Sequence, residues 1–118
     1  MRSRLTWLAV AALAAAAVLA GPASSRHTAS FQINVTAKEF SFHLGRGGVP
    51  HGTRTVFHLI NNGKLAHDFK IAGKKTPLLK PKGETTLVVT FTKKGSYPYV
   101  CTVPGHAAAG MKGVFHVF

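Results

Sequence analysis

The chain has 118 residues and a formal net charge of +12, because 15 Lys and Arg face only 3 Asp and Glu. This length allows one compact domain and excludes a two-domain enzyme. The single cysteine, Cys101, excludes an intrachain disulfide. A lone thiol in such a chain pairs with another chain, is capped, or binds a metal.

Residues 1–23 have the pattern of a secretory signal peptide. The basic start Met1-Arg2-Ser3-Arg4 precedes an uncharged stretch, residues 5–20, and Ala20 or Ala23 offers a small residue for cleavage. A retained membrane anchor is the alternative, although the uncharged stretch is just shorter than the roughly 17 residues that a spanning helix needs. We therefore expect an extracytoplasmic protein, periplasmic or secreted, or one held by an N-terminal anchor if this segment is not cleaved.

The remainder of the chain divides into a tether and a domain. Residues 24–30 are small and polar and predict a disordered tether, so the folded domain is expected over residues 31–118. Within it, runs of β-branched and aromatic residues recur between Gly, Pro and Asn, which is typical of short strands. The predicted strands cover residues 31–37, 40–44, 53–61, 66–72, 84–91, 95–101 and 113–118. Their number predicts an all-β sandwich or barrel.

Alternation and turn residues refine this prediction. Ile33, Val35 and Ala37 alternate with polar residues, so we expect one face of this strand to enter the core. Asn61-Asn62-Gly63 predicts a turn, and Lys93-Lys94-Gly95 predicts a hairpin. The stretch from 73 to 83 contains two prolines and is interpreted as a basic loop.

The strongest chemical signal lies between the last two predicted strands. Cys101, His106 and Met111 follow a C-x4-H-x4-M spacing on one loop. A thiolate, an imidazole and a thioether together suit a copper ion that cycles between Cu(I) and Cu(II). Zinc is the rival metal, since Cys and His are ordinary zinc ligands, but a thioether is a poor partner for zinc.

A copper site of this kind requires a second imidazole from a neighbouring strand. We predict His67, because it follows the Asn61-Asn62-Gly63 turn at the start of a strand and stands beside Asp68, which can orient the site. The other histidines are interpreted as ordinary surface or hydrogen-bonded residues: His27, His43, His51, His58 and His116.

Three short segments carry a resemblance to a known family. His67-Asp68-Phe69, the segment Tyr99 to His106 (YVCTVPGH) and Met111-Lys112-Gly113 resemble the type 1 (blue) copper site of the cupredoxins, the plastocyanin and azurin superfamily. The loop spacing is similar to that of the rusticyanin and sulfocyanin branch. The resemblance covers about the last 90 residues and implies a Greek-key β-sandwich of about seven to eight strands.

The resemblance also implies a role for each candidate residue. His67 and His106 would be imidazole ligands, Cys101 the thiolate ligand and Met111 the weak axial ligand. Where the family often has Asn after the first histidine, this chain has Asp68, which can accept hydrogen bonds from Thr102 but cannot donate as an amide would.

These ligands predict a one-electron carrier and not an enzyme, because a single copper ion with saturated ligation leaves little room for a substrate. His106, beside Ala107-Ala108-Ala109, is the expected exit for the electron. An extracytoplasmic protein that binds and delivers copper, without electron transfer, is the alternative. The expected partners are redox proteins, and we expect a monomer that does not bind nucleic acid.

The positive charge is interpreted as a bias on partner choice. Six lysines predict a solvated basic surface: Lys74, Lys75, Lys80, Lys82, Lys93 and Lys94. Such a surface can steer an acidic redox partner or hold the protein near anionic lipid.

Overall fold

A computed structural model describes residues 11–12, 14–17, 21 and 29–118. Most of the predicted signal peptide (1–23) and of the predicted tether (24–30) lies outside these residues. The described part of the chain forms nine strands: β1 (Ser30–Lys38), β2 (Ser41–Leu44), β3 (Gly48–Val49), β4 (Thr53–Asn61), β5 (Lys70–Ile71), β6 (Lys74–Lys75), β7 (Glu84–Phe91), β8 (Gly95–Val100) and β9 (Lys112–Val117). Over these ranges no helix has the length and apolar character that crossing a membrane requires.

The strands form two sheets. One has the order β2-β1-β4-β7 and the other the order β3-β9-β8-β5-β6. Both sheets are mixed, because β1 pairs with β4 and β3 pairs with β9 in parallel, whereas the remaining pairs are antiparallel. The predicted all-β sandwich is confirmed. The two strands beyond the expected seven, β3 and β6, have two residues each, too few for a sequence pattern to indicate.

The core lies between the sheets and is built from alternating side chains. Ile33, Val35 and Ala37 of β1 are buried as predicted, and β4 buries every second residue. Phe57, fully buried on β4, is at the centre: its ring lies 5.4 Å from that of Phe69, 6.3 Å from that of Phe91 and 5.3 Å from that of Phe115, measured between centroids. These contacts join both sheets through aromatic rings.

One predicted strand is largely replaced by irregular structure. Residues 66–72 form a strand only at Lys70–Ile71, preceded by an isolated bridge between His67 and Leu79. The Thr76 hydroxyl accepts a hydrogen bond from the Phe69 backbone N–H at 3.0 Å and so takes the place of a ladder partner. Three consecutive residues, 67–69, are buried here, which breaks the alternation of a strand.

The predicted hairpin at Lys93-Lys94-Gly95 is wrong. The strands on either side, β7 and β8, belong to different sheets, so this connection crosses the sandwich. The predicted basic loop 73–83 contains β6 and buries Leu79 against the site region. Turn residues mark where a strand ends, but they do not indicate which sheet receives the next strand.

Candidate metal centre

Three of the predicted ligands converge at one end of the sandwich. The Nδ1 atoms of His67 and His106 lie 3.1 Å apart, and Cys101 Sγ lies 3.9 Å from the first and 3.6 Å from the second. Their exposed fractions are 0%, 8% and 1% for His67, His106 and Cys101. The fold therefore brings two imidazole nitrogens and a sulfur together in a buried space.

His67 is placed by the loop that follows β4. Its backbone N–H donates to the Leu79 carbonyl at 3.0 Å and its carbonyl accepts from the Leu79 N–H at 2.8 Å. The buried Asn61 side chain supports both segments, because its Nδ2 donates to the Leu65 and Leu79 carbonyls at 2.9 Å each. Its Oδ1 also accepts from the Gly63 N–H at 2.9 Å. The predicted turn thus depends on the Asn61 amide group.

Cys101 and His106 are placed by the loop between β8 and β9. The Cys101 N–H donates to the Met111 carbonyl at 3.1 Å, and the Met111 N–H donates to the His106 carbonyl at 3.0 Å. Gly110 allows the return of the chain, because its φ of +115° is one that side chains with a Cβ rarely adopt. These bonds fold the loop back so that both ligand side chains point into the same space.

Asp68 and Thr102 connect the two ligand-bearing segments. The Thr102 backbone N–H donates to Asp68 Oδ1 at 2.6 Å, and the Thr102 hydroxyl donates to Oδ2. Asp68 directly follows His67 in the sequence, and Thr102 directly follows Cys101. The expectation that Asp68 accepts bonds from Thr102 is confirmed.

Glu39 contacts the ring nitrogen of His67 that faces away from Cys101. Its Oε1 lies 3.1 Å from His67 Nε2 and accepts from the backbone N–H groups of Lys64 and Leu65 at 2.7 Å each. The hydrogen bond from the Leu65 backbone N–H lowers the pKa of Glu39 most, and burial raises it by a smaller amount. Bonds from the Glu39 backbone N–H, His67 and the Lys64 N–H lower it further, so that the pKa is about 2. The carboxylate is therefore ionised at neutral pH.

The Cys101 thiol is the softest donor of the group. Burial raises its pKa, the backbone N–H groups of Asp68 and Val103 act in the opposite direction, and the Asp68 carboxylate raises it further. A bound metal cation reverses such an effect, because a coordinating thiol is deprotonated outright.

The donor set fits a trigonal metal ion. An ion about 2.0 Å from each nitrogen and about 2.3 Å from sulfur needs triangle edges of about 3.5–3.8 Å, and the observed edges are 3.1, 3.6 and 3.9 Å. The three atoms form the one cluster of His, Cys, Asp and Glu ligand atoms found within the described ranges. Two imidazoles and a thiolate are the equatorial ligands that copper takes in electron-transfer sites.

The remaining sequence candidates are distributed as follows. Met111 is fully buried in the same loop, and its role as axial ligand stays a prediction. His58 is half-buried beside Glu84 at 3.3 Å. His43, His51 and His116 are exposed and away from the cluster, and His27 lies outside the described residues.

Sequence reasoning missed two residues of the site. Besides Glu39, it missed Phe40, a residue that is 39% exposed and whose ring packs edge-on against that of His106 with centroids 5.1 Å apart. Both lie in the connection between β1 and β2, far in sequence from the ligands. One feature of the sequence could have drawn attention to Glu39: it is one of only 3 acidic residues in a strongly basic chain.

A family model identifies the family of the chain. Residues 9–114 match the model of the cupredoxin-like domain. The chain belongs to the cupredoxin-like family. A search of curated proteins by sequence found no match.

Solved structures agree with this assignment. The cupredoxin described here superposes on reduced auracyanin from Roseiflexus castenholzii with a TM-score of 0.65 and 23% identity, covering 76% of this chain and 98% of that one. Rusticyanin from Thiobacillus ferrooxidans gives a TM-score of 0.64 and 26% identity over 75% of this chain and 77% of its own. Auracyanin A from Chloroflexus aurantiacus, a "blue" copper protein, gives 0.63 and 19% over 75% and 99%.

The cofactor of this cupredoxin is therefore copper, and His67, Cys101 and His106 are positioned as its site. The donor chemistry and the family assignment agree on this point. The Greek-key sandwich implied by the sequence resemblance is confirmed as well.

The surface beside the site is basic. A cleft of about 620 Å³ next to the His67 loop is lined by Lys38, Asn61, Asn62, Gly63, Lys64, Pro81 and Lys82. Of the 3 acidic side chains of the chain, Asp68 bonds to Thr102 and Glu84 lies beside His58. Glu39 bonds to His67 and to the backbone N–H of Lys64 at the edge of the cleft. Within the described part of the chain, no Lys or Arg forms an ion pair with these carboxylates. Three lysines beside one carboxylate leave the cleft with a net positive charge.

Proposed function

We propose that this cupredoxin is an exported one-electron carrier between redox partner proteins, without substrate chemistry of its own. The observation that carries the proposal is the buried triangle of His67 Nδ1, Cys101 Sγ and His106 Nδ1. Copper, when bound there, supplies the Cu(II)/Cu(I) couple. Export rests on the signal-peptide pattern of residues 1–23.

The chain's own contribution is to hold the ligands rigidly. The Asp68–Thr102 bonds, the Asn61 amide bonds and the backbone bonds of the 101–111 loop restrain all three ligand side chains. A rigid site favours electron transfer, because the ligands move little when the charge of the ion changes. The low exposure of the ligands also leaves little space for a substrate.

His106 is the proposed route for the electron. It is the most exposed of the three ligands at 8%, and the exposed residues Phe40, Pro104 and Ala108 lie around it or on its loop. A small apolar face of this kind suits weak and transient docking. Axial ligation by Met111, which is buried in the same loop, completes the proposed ligand set.

An acidic redox partner fits the charge of the surface. Lys38, Lys64 and Lys82 line the cleft beside the His67 loop, and no carboxylate belongs to that lining. A net positive charge next to a docking site raises the association rate of an acidic partner. The same lysines would also allow peripheral contact with an anionic membrane surface.

The test is an optical and electrochemical titration of the purified protein with Cu(II). Electron transfer predicts an intense thiolate-to-copper visible band that ascorbate bleaches and an oxidant restores, together with a reversible couple in voltammetry. Cys101→Ser removes the thiolate and should abolish the band.

Copper delivery is the alternative function, and the same sample distinguishes it. A delivery protein should hold Cu(I) and release it quickly to a Cu(I) chelator, and it has no need of a reversible couple. The buried and restrained ligands predict slow release. Rapid transfer of Cu(I) without a reversible couple would contradict the electron-transfer proposal.

A further inference from the structure

The Glu39 carboxylate contacts the ring nitrogen of His67 that faces away from Cys101 and His106. Its Oε1 accepts two backbone N–H bonds, from Lys64 and Leu65, and faces His67 Nε2 at 3.1 Å. The carboxylate thus joins the end of β1 to the loop that carries His67. Its side chain is 27% exposed, whereas that of His67 is fully buried.

This contact determines which nitrogen of His67 carries the proton. A carboxylate only accepts hydrogen bonds, so Nε2 must donate, and in the neutral imidazole Nδ1 then keeps its lone pair. Nδ1 is the atom that faces Cys101 and His106. The hydrogen bond therefore holds the ring in the tautomer and orientation that metal binding requires.

The space around the contact is closed by Gly63. A Cβ at this position would lie 2.5 Å from Glu39 Oε1 and 2.8 Å from His67 Nε2. Any larger side chain there requires the carboxylate, the imidazole or the loop to shift. The backbone of the His67 loop thus packs directly over the pair.

We propose that Glu39 is a positioning residue for His67 and that its carboxylate lowers the reduction potential of the copper site. A negative charge hydrogen-bonded to a ligand imidazole makes that ligand more basic. It stabilises the ion of higher charge, Cu(II), more than Cu(I), because the attraction grows with charge. This inference rests on the proposed electron-transfer function, and it names a residue that adjusts the reduction potential of that site.

The test compares Glu39→Gln with Glu84→Gln. Gln keeps the size of Glu39 and an oxygen acceptor but removes the charge. Glu84→Gln is the matched control, because it makes the same charge change at the partner of His58, which is not a ligand. We expect Glu39→Gln to reduce the preference for Cu(II) over Cu(I) about tenfold. For one electron this corresponds to a midpoint about 59 mV higher, and Glu84→Gln should leave the midpoint unchanged.

Equal midpoints for the two variants would overturn the tuning role and leave Glu39 as a loop support only. A second measurement does not depend on any variant folding. The ring nitrogens of His67 in the copper-free wild type at pH 8 should show, by nitrogen-15 NMR, the tautomer with the proton on Nε2. The opposite tautomer would overturn the positioning role.

These results also separate the two proposals. Wild-type protein without a blue band or a reversible couple contradicts the proposed function. The tautomer of His67 in the copper-free protein still decides whether Glu39 positions the ring.

Discussion

The Asp68 carboxylate accepts two hydrogen bonds from Thr102, one from the backbone N–H at 2.6 Å and one from the hydroxyl. Asp68 is 4% exposed and follows His67, and Thr102 follows Cys101. This pair therefore determines how far apart the two ligand-bearing segments lie.

Asp68→Ala should destabilise the copper-free protein by about 1–3 kcal/mol, because the Thr102 N–H loses its acceptor in a partly buried place. Urea unfolding followed by circular dichroism measures this. Asp68→Asn is the control, since its amide oxygen still accepts from the N–H and the Thr102 hydroxyl can rotate to accept from the amide nitrogen. Equal stability of Asp68→Ala and the wild type would show that the pair carries no net stabilisation.

Gly63→Ala should weaken copper binding and lower stability by about 1–3 kcal/mol. The new methyl group would lie 2.5 Å from Glu39 Oε1 and 2.8 Å from His67 Nε2, so the carboxylate and the imidazole, or the loop itself, must shift. Gly47→Ala is the matched control, because nothing lies within 4 Å of a Cβ at that glycine. Copper titration and urea unfolding of both variants provide the measurement. A Gly63→Ala protein that matches Gly47→Ala in both would contradict the close packing described here.

Met111 variants test axial ligation through the sign of the change in potential. Met111→Gln introduces a harder oxygen donor that favours Cu(II), so the midpoint should fall while copper stays bound. Met111→Leu removes the donor and should raise it, because the axial ligand tunes the potential of such sites. Voltammetry of the two copper-loaded variants gives both shifts. If neither midpoint moves, Met111 is not an axial ligand.

Phe57→Ala should reduce the free energy of unfolding by about 3–5 kcal/mol. Its ring is fully buried and contacts the rings of Phe69, Phe91 and Phe115 across the sandwich. Phe118→Ala serves as control, because that side chain is 60% exposed and its loss should change stability by no more than about 0.5 kcal/mol. Similar losses for the two variants would contradict the central place of Phe57 in the core.

The basic cleft should affect reactions with anionic partners. Replacing Lys38, Lys64 and Lys82 with Gln should slow oxidation of the reduced protein by ferricyanide and weaken its dependence on salt. The same charge change at Lys74, Lys75 and Lys93 is the control for total charge. Stopped-flow kinetics over a range of ionic strengths measures both. Indistinguishable rates for the two triple variants would assign the effect to net charge and not to the cleft.

The strands were most predictable where one face is buried. The bounds of β4 and β7 match residues 53–61 and 84–91 as predicted, because alternation of side chains follows directly from the pleat of a strand. The pairing of the strands was harder to predict from the sequence. The turn at Lys93-Lys94-Gly95 indicates only that β7 ends, whereas the competition between two sheets decides where β8 goes.

For the site as well, local features could be predicted from the sequence and long-range contacts could not. Cys101 and His106 were accessible because they share one loop, and His67 because it follows a recognisable turn. Glu39 was not, since it lies 28 residues before His67 and meets it only through the parallel register of β1 with β4. No local pattern marks a contact that depends on how two distant strands align.

The position of the ligand loop has a consequence for biogenesis. Cys101, His106 and Met111 all follow β8, so eight of the nine strands in the described part of the chain precede the thiolate. A polypeptide that emerges N-terminus first therefore presents no ligand before residue 67 and His67 alone until Cys101. Copper cannot template the early collapse of such a chain, and acquisition of the ion must be a late step that follows assembly of most of the sandwich.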